Sequence, residues 1–148
     1  MDPADVLAAA QEHALAEALG DMDRTLATLC PEPVFEFHPV GLTIRGWDPI
    51  ERFYREQYGR FASRVVDAEV YGEWANDDTA IQEYRVEVRG DDDEVRPFRV
   101  LSMTPVLEDG KLAGERLYAD EAFYRLLLGP LFDVAVPIEG AADAEVHP

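Results

Sequence analysis

Four side chains in this 148-residue chain combine a useful ionisation with a position from which they could do chemistry. His13 and His38 are the two histidines of the main body, the third, His147, lying close to the C-terminus. An unperturbed imidazole titrates near 6.5, so either can serve at physiological pH as a base or as a donor without the burial a carboxylate requires. Glu115 alternates with Leu117 and Ala119 along a strand-like segment and shares whatever face they take. Asp120 ends that segment, where it could take part in acid/base work or cap the helix that follows. Together these groups suit a proton transfer: a base over a carbon acid and a donor beside the oxygen on which charge develops. Two histidines and a glutamate could also form a facial metal site. Their spacing is not that of a metal motif, and neither a metal nor a cofactor is expected. Cys30 is the only cysteine, which excludes a disulfide framework and a cysteine-built zinc site and leaves it a core role.

The elements that must position these groups follow from the periodicity. Residues 5–19 are rich in helix formers and end at Gly20; a short second helix runs from the Asp21–Asp23 cap region to Leu29, where Pro31 and Pro33 stop it. Residues 34–37 and 42–45 alternate as two strands of a hairpin. Asp48 and Pro49 open a third helix, with Ile50, Phe53, Tyr54, Gln57, Tyr58 and Phe61 at helical spacing on one face. Long period-two segments then occupy 66–75, 79–89, 95–107 and 111–119, joined by turn-forming residues. A short helix at 121–128 precedes Gly129 and Pro130. The expected organisation is one domain over residues 1–130 and an acidic tail over 131–148. Helices first and meandering strands after them predict an α+β fold, three N-terminal helices packed on a curved, mixed or antiparallel sheet of about six strands, with a cavity where helix and sheet diverge.

Thirty-one acidic side chains against thirteen basic ones give a formal charge of −18, which repels phosphate backbones and anionic membranes. No apolar run approaches the ~20 residues of a bilayer span, so a cytoplasmic protein that binds neither nucleic acid nor membrane is expected. Glu36, Glu69, Glu73, Glu83 and Glu87 alternate with apolar residues as a solvated or interface face does.

The order of elements, and three local stretches, resemble the nuclear transport factor 2-like superfamily, which includes ketosteroid isomerases, SnoaL-like polyketide cyclases and limonene epoxide hydrolases. Arg45-Gly46-Trp47-Asp48-Pro49-Ile50-Glu51-Arg52-Phe53-Tyr54 is similar to the stretch that opens the family's third helix; Tyr84-Arg85-Val86-Glu87-Val88 is similar to an isomerase strand; Asp109-Gly110-Lys111-Leu112, followed by Glu115-Arg116-Leu117-Tyr118-Ala119-Asp120, is similar to the family's last turn and closing strand. The likeness covers roughly residues 5–128 and implies a cone-like α+β barrel and a homodimer.

It also implies roles. The arginine and two aspartates of the epoxide hydrolases fall on Tyr84, Val86 and Leu117, and the cyclases' aspartate and histidine fall on Leu117 and Met103, so neither mechanism transfers. The isomerase base falls on His38 and its first oxyanion donor on His13, while the second donor again falls on Met103. The resemblance thus points to a cofactor-independent isomerase, cyclase or dehydratase with His38 as base and His13 as donor, assisted by Glu115 or Asp120. Its small hydrophobic substrate, polycyclic or aromatic, would be held by Phe35, Phe37, Tyr54, Tyr58, Trp74, Tyr84, Val86, Met103 and Leu117. The alternatives are a binding module for an apolar ligand, which performs no chemistry, and a dimerisation domain.

Overall fold

The computed structural model describes residues 1–138. Helix α1 (Pro3–Ala18) starts where the Asp2 carboxylate accepts the Ala4 amide at 2.8 Å and Pro3 takes the first helical position. It buries Val6, Ala10, His13 and Ala16, spaced three and four apart. Helix α2 (Met22–Ala27) is capped by Asp21. It is shorter than the sequence suggests, because strand β1 (Leu29–His38) begins before both prolines instead of after them. Leu29 pairs with Leu112, and the ladder resumes only at Val34; Pro31 and Pro33 lie in the irregular stretch between, where fewer backbone donors are needed.

β2 (Leu42–Arg45) returns antiparallel to β1. The third helical stretch comes in three parts: α3 (Trp47–Arg52), a π-helical turn (Phe53–Tyr58) and α4 (Gly59–Ala62). The wider turn lets Phe53, Tyr54 and Gln57 all face inward, a distortion that often accompanies a functional site. Strands β3 (Val65–Ala75), β4 (Thr79–Arg89), β5 (Val95–Pro105) and β6 (Leu112–Tyr118) follow, then α5 (Glu121–Leu128). Residues expected to begin a tail instead form a 3₁₀ turn (Gly129–Asp133) and a short strand β7 (Val136–Pro137) on β2; the rest of the expected tail, 139–148, lies outside the described residues.

The seven strands form one sheet in the order β3-β4-β5-β6-β1-β2-β7, antiparallel except for β1 beside β6. The helices cover its inner face, where Phe35, Phe37, Val86, Val88, Phe98, Val100 and Leu117 are buried. Tyr124 of α5 ties helix to sheet by donating its hydroxyl to the carbonyls of His38 (2.6 Å) and Leu117 (2.8 Å). Among the described residues no helix is long and apolar enough to cross a membrane.

Two residues expected beside the cavity lie on the opposite face. On β5 the buried set is Phe98, Val100, Ser102 and Thr104, so Met103 points outward with Leu101; Ser102, not Met103, pairs with inward-facing Leu117. Two hydroxyl residues on the inner face hid its parity. Trp74 pairs with Ile81 on the outer face and is 54% exposed, because the register slips between Val70 and Gly72.

Candidate active site

The functional geometry is built around His13. Its Nδ1 lies 2.6 Å from the Thr28 hydroxyl, which donates its own proton to the Thr25 carbonyl, also at 2.6 Å. Thr28 therefore accepts the Nδ1 proton and leaves Nε2 to face the interior. Nε2 lies 3.0 Å from Glu17 Oε1, one helical turn along α1, and 3.4 Å from Glu115 Oε1 on β6. Glu17 also accepts hydrogen bonds from the Tyr54 hydroxyl at 2.7 Å and the Tyr58 hydroxyl at 3.2 Å, both supplied by the π-helical turn. His13 is 1% exposed, Glu17 17% and Glu115 15%.

Two carboxylates and one imidazole in so dry a place cannot ionise independently. Burial disfavours a charged His13, but the Glu17 carboxylate, with help from Glu115, outweighs it and lifts the imidazole to about 8. Burial likewise opposes the Glu17 charge and is overcome by His13 and the two tyrosine hydroxyls, so Glu17 is held below the usual carboxylate range. Glu115 takes the opposite course: burial first, then repulsion by Glu17, push it up to about 7. Tyr54, Tyr58 and Tyr84 are held well above the ordinary phenol range, chiefly by burial and then by the carboxylates, and keep their protons.

These shifts make stability depend on pH. A folded-state imidazole raised from 6.5 to about 8 contributes fully below 6.5 and loses its contribution as pH rises through 8. Glu115, raised from 4.5 to about 7, contributes fully below 4.5 and loses its share by about 7. Glu17, being lowered, acts the other way, but only on the acid side of 4.5. Melting temperature is thus expected to fall between pH 6 and 9, by the equivalent of about 2 kcal/mol from the imidazole. A flat or rising profile over that range would contradict the assignment.

Glu17, Tyr58 and Tyr84 form part of the wall of an inner cavity of about 470 Å³, shared with Phe61, Val86 and Phe123 among others. The same three acid and imidazole groups offer one ligand atom each within 4.8 Å and could take a divalent cation. Their donor atoms, however, are already matched: Nε2 to the carboxylates, and both Glu17 oxygens to tyrosine hydroxyls, so the set closes as a hydrogen-bonded proton network.

The structure brings His13, Glu115, Tyr54, Tyr58 and Tyr84 together, with Phe35, packed edge-on to Tyr54, behind them. Phe37 and Leu117 are inward but belong to the packed core. His38 does not join the site. Strand alternation turns it to the outer face, where it bonds Glu36 at 3.1 Å and stacks on Tyr118 at 4.9 Å. Asp120 is exposed at the N-terminus of α5 and caps it through its backbone carbonyl. Sequence reasoning missed Glu17 and Thr28. The signal for Glu17 was present in its spacing, four residues after His13 on one helix, which places the two side chains together.

No protein-family model matches the chain, and no curated protein matches it in sequence. Solved structures do. A limonene epoxide hydrolase-like enzyme of Mycobacterium tuberculosis superposes with a TM-score of 0.66 at 20% identity, over 90% of this chain and 97% of that one. A provisionally assigned ketosteroid isomerase from Kribbella flavida gives 0.65 at 16% identity, over 81% of each chain. A nuclear transport factor 2-like protein of unknown function from Burkholderia xenovorans gives 0.60 at 20% identity, over 78% of this chain and 83% of that one. The chain has the nuclear transport factor 2-like fold. That fold supports many chemistries on the same frame, and here the nuclear transport factor 2-like frame is furnished by His13, Glu17 and Glu115.

Proposed function

We propose that the chain is a cofactor-independent acid/base enzyme that moves a proton on a small hydrophobic substrate held in the inner cavity. The observation that carries this reading is the pair of carboxylates flanking one buried imidazole nitrogen, one kept ionised and the other raised to about 7. Pairs of groups whose environments push their ionisations apart are the usual mark of an acid and a base. Glu17, on the cavity wall, takes the proton from the substrate; Nε2 gives its own proton to ionised Glu115 and accepts the one from Glu17. The net result is one proton moved from substrate to Glu115, and the return step runs the same path backwards. Thr28 fixes the ring so that only Nε2 exchanges. Tyr84, which keeps its proton, is the donor for an oxygen that gains charge.

The test uses 3-cyclohexenone in D₂O, following deuterium uptake and formation of the conjugated enone. The wild type should accelerate both over buffer, Glu115→Gln should lower the rate about a hundredfold, and Glu17→Gln should abolish it. Binding of the ketone without any acceleration would contradict catalysis and leave a binding module. Pairing of two copies, which the resemblance implies, belongs to the outer face, where Tyr71, Trp74 and Tyr118 are 45%, 54% and 40% exposed; sedimentation is expected at twice 16.6 kDa.

A further inference from the structure

The charges and rings around the inner cavity narrow its ligand further, on the same reading of where the substrate sits. Glu17 is on its wall, and no lysine or arginine is; Glu69, opposite Arg85 in the β3–β4 ladder, faces outward. Glu73 stands behind Gln82, whose side-chain amide it accepts at 2.7 Å. Glu115 stands behind His13, and His13 is the one cationic group of this cluster, already engaged by Glu17. Arg85, between the inward-facing Tyr84 and Val86 on β4, is turned to the outer face and paired with Glu87 at 2.7 Å. The cavity thus carries an excess of negative charge in a setting where apolar walls strengthen every electrostatic interaction.

The walls are also aromatic. Tyr58 and Phe61 lie 5.9 Å apart, Phe61 and Phe123 5.6 Å, and Tyr84 lines the same space. Ring faces attract cations, most strongly when both are shielded from water. Of the donors an anion would need, the Tyr58 hydroxyl is spent on Glu17 and the Gln82 amide on Glu73, which leaves the Tyr84 hydroxyl alone to face the repulsion of the carboxylates. A small hydrated metal ion would gain nothing from Val65, Val70 and Val86, which form part of the wall. The volume, about 470 Å³, is that of a pocket for a compact organic molecule.

We infer that the inner cavity takes a lipophilic organic cation, an ammonium group carried on an aromatic or branched aliphatic skeleton, with the nitrogen beside Glu17 and the rings of Tyr58 and Tyr84.

Three probes with one skeleton test this by calorimetry on the full chain at pH 7.5: 3-phenylpropylammonium, 3-phenyl-1-propanol and 3-phenylpropanoate. The ammonium is expected to bind at least tenfold more tightly than the alcohol, and the carboxylate most weakly. Glu17→Gln should narrow the ammonium preference severalfold and affect the alcohol little. Tyr84→Leu, which keeps apolar bulk and removes a ring face, should weaken the ammonium more than the alcohol. The inference falls if the alcohol binds as tightly as the ammonium, if the carboxylate binds best, if none binds, or if both variants leave the preference intact, the last showing that the ammonium merely sits on the acidic exterior. Because binding alone is read, loss of the charge preference with ketone exchange retained overturns only this inference, whereas the preference without exchange overturns only the catalytic reading.

Discussion

Gly114→Ala is expected to abolish the native fold or to cost more than about 4 kcal/mol, a loss seen only where a specific steric or polar requirement is broken. Gly114 adopts φ +136° on β6, immediately before Glu115, and a Cβ there would stand 1.8 Å from the Val34 carbonyl oxygen and 2.6 Å from its carbon. Those atoms are backbone, so no rotamer change can relieve the contact. Relief would require β6 to part from β1 at the place where their parallel ladder resumes. Gly20→Ala is the matched control: φ is +69°, but nothing lies within 4 Å of the added carbon, so only the left-handed conformation is penalised, by roughly 1–2 kcal/mol. Urea denaturation of both variants checks the pair. A Gly114→Ala protein within about 1 kcal/mol of wild type would show that the register described for β1 and β6 is wrong.

His13→Leu is expected to destabilise the protein by about 3–5 kcal/mol at pH 7, the usual consequence of removing one partner from a buried ion pair. The lost side chain is 1% exposed, and its removal leaves Glu17 with hydroxyl donors but no cation. The double variant His13→Leu, Glu17→Leu removes the stranded charge and should be more stable than His13→Leu alone, since apolar replacements of whole buried pairs are often tolerated. A single variant as stable as wild type would mean that His13 and Glu17 are not an ion pair in the folded protein.

Much of the architecture is legible in the residues themselves. The switch from helical to period-two patterning after Arg64 marks the helix-to-sheet order, and β2, β4 and α5 lie where their patterns place them. The departures have local causes. Pro31 and Pro33 read as a helix stop and a loop, yet they fill an irregularity within β1 that becomes visible only when β6 is laid beside it. Ser102 and Thr104 are polar residues on a buried face, so Met103 and Leu101 look like the inner set on hydrophobicity alone. His38 has the right chemistry and lies beside Phe37, but alternation along β1 sends neighbouring side chains to opposite faces, and Phe37 occupies the inner one. The site itself is half legible: His13 and Glu115 stand out by chemistry and parity, whereas Glu17 looks like one more acid in a chain with 31 of them. Its role comes from the helical turn that sets it beside His13, and from the tyrosines of a π-helical turn that no simple spacing rule announces.

The central claim, that His13 shares a proton with two carboxylates, is tested most directly by titrating its ring nitrogens by NMR in ¹⁵N-histidine-labelled protein between pH 5 and 10, with His13→Leu used to assign the signals. The result expected is an apparent pKa of about 8, with Nδ1 protonated throughout and the change confined to Nε2. In Glu17→Gln the value should drop, since the largest favourable partner of the charged ring is gone and burial remains. A wild-type His13 that titrates below 6.5, or one whose pKa is unmoved by Glu17→Gln, would contradict the account.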